Sequence, residues 1–144
     1  MITCLYFSNN KYKYFNVHHH SLDTIVNYFV ERKNSVDELA GNLAEKKGDY
    51  RDDIRLEREL KRARQKGTMI YLLVEDKNGM ENIEKGNYRS QYGSKAFEGK
   101  LASIEINYLK GLRFVDKKDA GREILKILYY LNLWYVFLYD QEFW

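Results

Sequence analysis

The chain has 144 residues, 44% of them hydrophobic, with 13 Tyr, 7 Phe and 2 Trp, no proline, one cysteine and a formal net charge of +3. That length supports a sizeable core, and residues 1–144 are read as one domain. The mild positive charge permits a nucleic-acid partner without demanding one, and the lone Cys4 excludes an internal disulfide framework and suits a reducing compartment. The opening Met1-Ile2-Thr3-Cys4 has neither a basic n-region nor a long apolar segment, so no signal peptide is expected and the location is read as cytoplasmic.

Residues 2–7 are apolar and suit a short strand or the tail of a helix, and Ser8-Asn9-Asn10 is a turn signal. Residues 12–20 alternate loosely and read as a strand, forming a hairpin with a second strand at Ile25–Arg32. The triple histidine His18-His19-His20 lacks metal-site spacing to other Cys or His residues, so it reads as polar strand surface. The apolar run ends abruptly at Glu31-Arg32-Lys33. A helix follows: Ser35 is a cap with Glu38 at capping-box spacing, and Val36, Leu39, Ala40, Leu43 and Ala44 form one face.

Strand periodicity gives the three charges a direction. Glu31 and Lys33 point the same way and Arg32 points opposite. A carboxylate and an ammonium on one face of a strand end can serve phosphodiester cleavage, the first by binding a hard divalent cation, the second by steering water or offsetting charge on phosphate. Asp37 falls in the first helical turn near the same strand end, where its charge suits the helix dipole. Spacing alone equally allows an exposed strand end that makes surface ion pairs.

Residues 50–66 read as a charged helix on which Arg51, Arg55, Arg58 and Arg62 form one stripe and Leu56, Leu60 and Ala63 another. The arginine stripe can track a phosphate backbone, or pair with the interleaved Asp52, Asp53, Glu57 and Glu59. Thr68–Val74 is a near-continuous apolar run, the pattern of a strand buried on both faces, ended by Glu75, which either approaches the Glu31 site or exits into solvent. Residues 77–95 are polar and read as a loop, in which Tyr88, Arg89 and Lys95 are candidates to stack bases and contact phosphates. A helix is expected from Ser94 to Leu109 with Phe97, Leu101, Ile104 and Tyr108 inward and Gly111 ending it, then a strand at Leu112–Val115. From Ala120 runs the most apolar helix, too short for a membrane span, needing burial against the sheet and then against either a second subunit or the same chain.

Glu31-Arg32-Lys33, three residues, then Asp37 resembles the signature of XPF-type structure-specific nucleases, which is Gly-Asp, a variable spacer, Glu-Arg-Lys, three residues, Asp. The likeness extends to Arg55–Ala63 followed by Tyr71–Glu75, and to Leu112–Asp116 followed by Ala120–Ile124, covers roughly residues 13 to 131, and is closest to small phage-type members. It implies an α/β, restriction-endonuclease-like fold with a central mixed sheet flanked by helices. It implies a Mg²⁺- or Mn²⁺-dependent endonuclease acting on branched, flapped or forked DNA, with Glu31, Arg32, Lys33 and Asp37 at the catalytic centre and Glu31 on the metal. It also implies a homodimer, paired through the C-terminal apolar helix, within the host cell if the chain is phage-encoded.

The family's Asp-Thr-Arg-Glu strand and its Gly-Asp pair have no counterpart, which suggests an N-terminus truncated or remodelled; Gly48-Asp49 lies after the motif. Asp23 is the candidate second metal ligand. On one continuous strand it would lie about 26 Å from Glu31, but a turn at Val26-Asn27-Tyr28 would bring them to about 5 Å as cross-strand neighbours. His19 or His20 is the alternative, with the turn nearer Ser21–Thr24. The missing segments support a second hypothesis, a catalytically silent relative that binds DNA or a partner as a scaffold.

Overall fold

The computed structural model describes residues 2–5, 13–17, 26–44 and 55–140, with side chains at 28–44 and 56–130. A five-stranded sheet runs β1 (Ile2–Leu5), β2 (Lys13–Val17), β3 (Val26–Lys33), β4 (Met69–Val74), β5 (Leu109–Phe114), in sequence order across the sheet. β1, β2 and β3 are antiparallel neighbours; β3, β4 and β5 are parallel. The expected hairpin is present, with Lys13 opposite Val30 and Val17 opposite Val26. The turn imagined at Val26-Asn27-Tyr28 is not: these residues lie inside β3. The cross-strand route from Asp23 to Glu31 therefore fails, because the apolar run continues the strand back to Val26. Asp23 and His18–His20 lie outside the described residues.

Parallel neighbours need crossovers, and helices supply them. α1 (Val36–Leu43) and α2 (Arg55–Gln65) join β3 to β4, and α3 (Gly79–Lys85) and α4 (Ser94–Tyr108) join β4 to β5. α1 starts where Ser35 Oγ accepts from the Glu38 amide at 3.1 Å, while the Glu38 carboxylate accepts from the Asn34 amide at 2.8 Å. The capping pair forms as expected, reaching back one residue further than the usual box. Within the polar stretch 77–95, Gly79–Lys85 form the short helix α3, ahead of the segment 87–95.

One sheet face carries the main core. Val36, Leu39 and Leu43 of α1, Leu56 and Leu60 of α2, Ile83 of α3, and Phe97, Leu101 and Ile104 of α4 pack there on Ile70, Leu72 and Val74. The opposite face is covered by α5 (Ala120–Asp140), whose Ala120, Ile124, Ile127 and Leu128 pack on Val30 and Leu73. β3 and β4 are thus sandwiched, which is why both read as apolar runs. Gly111, expected to end the preceding helix, sits inside β5. A Cβ there would lie 2.7 Å from the Tyr71 ring, so the glycine admits the ring rather than a helix cap. Among the described residues no helix is long and apolar enough to cross a membrane.

Candidate functional site

The C-terminal end of β3 presents the charged triplet. Among the described residues β2 pairs with β3 up to Val30, and β4 pairs with β3 through Lys33. Glu31 and Lys33 lie on the face of the main core and Arg32 on the α5 face, as the period of a strand requires.

Glu31 and Lys33 form an ion pair, Nζ to Oε1 2.8 Å, with both side chains more than nine-tenths buried. Lys33 also donates to Asn42 Oδ1 at 3.1 Å, and the Asn42 amide donates to the Glu38 carbonyl at 2.6 Å. α1 therefore holds the ammonium independently of Glu31. The second Glu31 oxygen, Oε2, is buried with no hydrogen-bond partner. Burial pushes the Glu31 carboxyl above its ordinary value of 4.5; the charge and hydrogen bond of Lys33 pull it back, and the charges of Glu59 and Glu38 add to the rise.

Glu31 also lines a cavity of about 530 Å³ between the sheet and α2. Its apolar wall is Phe29, Leu56, Leu60, Ala63 and Ile70. Its polar groups, beside Glu31, are Glu59, Arg62, Lys66 and Thr68. Glu59, Arg62 and Lys66 recur at helical spacing on α2 and its C-terminal end, so acid and base share one rim.

Arg32 makes the other pair. Its Nε lies 2.6 Å from Glu75 Oε1, its guanidinium donates to Asn34 Oδ1 at 3.2 Å, and the Glu75 amide donates to the Lys33 carbonyl at 2.9 Å. Of the two courses open to Glu75 in the sequence, the chain takes neither: its carboxylate is buried against Arg32 on the α5 face. Asp37 accepts from the Arg89 amide at 2.7 Å, with the Arg89 Nε at 3.7 Å, and so ties the segment after α3 to the start of α1. The second partner of Lys33 is Asn42 rather than Asp37.

A family model described as the ERCC4 domain matches residues 6–127. The chain belongs to the ERCC4 domain family. This is the XPF-type nuclease family of the motif, with a restriction-endonuclease-like fold, and its nucleases act on DNA and generally depend on a divalent metal. No curated protein and no solved structure matches the chain.

Divalent-metal dependence calls for hard oxygen donors. Glu31 fits that need: it lines a cavity large enough for a hydrated cation, and its buried Oε2 has no hydrogen-bond partner. Among the described residues no group of three or more His, Cys, Asp or Glu side chains is placed to hold a metal.

The structure separates the residues expected to bind DNA. Arg62 lines the cavity; Arg58 is half-buried and engaged elsewhere; Arg51 and the side chain of Arg55 lie outside the described residues. Arg89 and Lys95 are exposed. The Tyr88 ring packs edge-on against Phe97, centroids 5.2 Å apart, and its hydroxyl donates to the Tyr92 carbonyl at 2.5 Å. Its ring is thus committed to the core rather than presented as a platform for bases. Asn42, Glu59 and Lys66 were not singled out from the sequence. Asn42 lies beside the apolar stripe of α1 rather than on it, so the sequence carried no signal for it.

Proposed function

We propose that this ERCC4 domain is a divalent-metal-dependent endonuclease that cleaves phosphodiester bonds in branched, flapped or forked DNA. The observation that carries the reading is the pairing of Glu31 and Lys33, 2.8 Å apart on one face of a strand end, with Glu31 lining a cavity. Mg²⁺ or Mn²⁺, when bound, supplies a more acidic water and offsets phosphate charge. Glu31 is its protein ligand. Lys33, held in place by Asn42, steers the attacking water and stabilises the charge that grows on the phosphorane-like transition state. Arg32 braces the end of β3 through Glu75. Asp37 positions Arg89, whose exposed guanidinium, with Arg62 and Lys95, contacts backbone phosphates. The exposed Leu125, Tyr129 and Tyr130 of α5 support a homodimer formed through that helix.

Labelled flap and fork DNA incubated with Mn²⁺ provides the test. Cutting by the wild type, lost in Glu31→Ala and in Lys33→Ala, is the expected result. DNA bound without cutting, unchanged by either substitution, favours the second reading, a scaffold of the same fold. That reading draws on the absence of a three-ligand cluster among the described residues.

A further inference from the structure

The sequence left the second metal ligand open between Asp23, a histidine at 18–20 and none. Strand β3 begins at Val26, and Val17 is paired there. Glu31 stands five residues further on (31 minus 26), about 16 Å along the strand at ~3.3 Å per residue. The turn at Val26-Asn27-Tyr28 through which Asp23 would meet Glu31 is therefore not formed.

The cavity supplies a different acid. Glu59 of α2 lines it together with Glu31. The Glu31 side chain is more than nine-tenths buried, and its Oε2 has no hydrogen-bond partner. A buried oxygen left unbonded is costly, and a cation is one way to satisfy it. Arg62 and Lys66 lie on the same cavity wall, so an incoming phosphate meets positive charge beside the two acids. Mg²⁺ and Mn²⁺ accept such a set, since Mg²⁺ is commonly held by one or two carboxylates, with water and substrate phosphate completing the shell.

We propose that Glu59 is the second protein carboxylate for the divalent cation held by Glu31, so that the metal site is built between β3 and α2. This rests on the nuclease reading above and adds to it a residue outside the Glu-Arg-Lys motif.

Mn²⁺ alone, titrated up to millimolar concentration without DNA and followed by the electron paramagnetic resonance of free Mn²⁺, tests it. Glu31→Gln and Glu59→Gln are expected each to weaken Mn²⁺ binding at least tenfold. Glu57→Gln, on the same helix but paired with Lys100 at 2.6 Å, stays within about twofold of wild type and controls for charge removal. Glu59→Asp, which keeps the carboxylate, recovers part of the affinity; this variant also serves if Glu59→Gln fails to fold. Wild-type affinity in Glu59→Gln, with loss confined to Glu31→Gln or Asp23→Asn, overturns the assignment of Glu59 and leaves the nuclease reading standing. A wild type that binds no Mn²⁺ and cuts no flap DNA overturns both.

Discussion

Two ion pairs stand back to back at the end of β3, and they do different things. Arg32–Glu75 joins neighbouring strands: its partners belong to β3 and to the residue after β4, and the Glu75 amide adds a bond to the Lys33 carbonyl. Glu31–Lys33 joins two residues of one strand, so the bond between them fastens no element to another. Both carboxylates are buried and each leaves one oxygen unbonded, yet Glu31 lines the cavity and Glu75 does not. Burying charge is costly. The Arg32–Glu75 pair offsets that cost with a clamp between strands. The Glu31–Lys33 pair offers fold stability much less, and a catalytic use accounts for it better.

The sharpest way to break this comparison is to remove each carboxylate charge separately. Glu31→Gln is expected to lower metal-dependent cleavage by ~10³-fold or more, the scale of losing a central charge-stabilising group. Circular dichroism of the same variant should show a folded chain, because glutamine still offers Lys33 an acceptor and Asn42 still holds the ammonium. Unfolding of Glu31→Gln at ambient temperature would place Glu31 with Glu75, as a structural group.

Arg32→Met is the converse. It leaves the Glu75 carboxylate buried without its cation, and breaking a buried pair from one side costs about 3–5 kcal/mol. Arg32 is partly exposed, so the lower end of that range is expected in urea denaturation. Cleavage below the melting temperature should fall far less than in Glu31→Gln. The double variant Arg32→Met with Glu75→Gln should recover part of the stability, since the uncompensated charge is then gone.

The legibility of these two pairs differed for a physical reason. The alternation of a strand is a local rule, so the opposed faces of Glu31 and Arg32 followed from spacing alone. The same locality exposed the Ser35 cap and the inward stripe of α4. What Arg32 meets is set by β4, some forty residues further along the chain, and no local rule reaches it. The bounds of α3 were not legible because it is a single short helix, Gly79–Lys85, with Gly79 and Ile83 its buried residues, so it carries almost no periodic signal. Its end was marked, since Gly86 takes φ 71° as a helix-ending glycine does, but that mark alone also fits a turn. Glu59 was visible as one acid on an arginine-striped helix. Only the packing of α2 over the sheet brought it to the same cavity as Glu31.

A milder effect tests the third charged tie, at the start of α1. Asp37→Ala removes an acceptor of the Arg89 amide and a first-turn acid, expected to cost about 1–2 kcal/mol. Amide hydrogen exchange should rise at Arg89 and its neighbours while β3 and β4 stay protected. Uniform loosening of the whole domain would show that the tie supports the core rather than the segment it holds.

The smallest expected effect separates the pairs by pH. The Glu31 carboxyl is raised above its ordinary 4.5 by burial, less the pull of Lys33. The folded chain therefore keeps a proton that the unfolded chain has already released just above pH 4.5, and this group's contribution to stability is fully present below that value. As pH climbs through the window between the two values the folded state binds more protons than the unfolded state, so the contribution falls, and it is gone above the folded-state value. Urea denaturation in EDTA, repeated at rising pH, reads this as wild-type stability declining relative to Glu31→Gln. Paired, metal-free carboxylates in proteins commonly show the opposite slope, because a partner cation lowers their pKa. A wild type that instead gains on Glu31→Gln over that window would mean Lys33 outweighs burial. The pair would then be an ordinary stabilising bridge, and the contrast with Arg32–Glu75 would disappear.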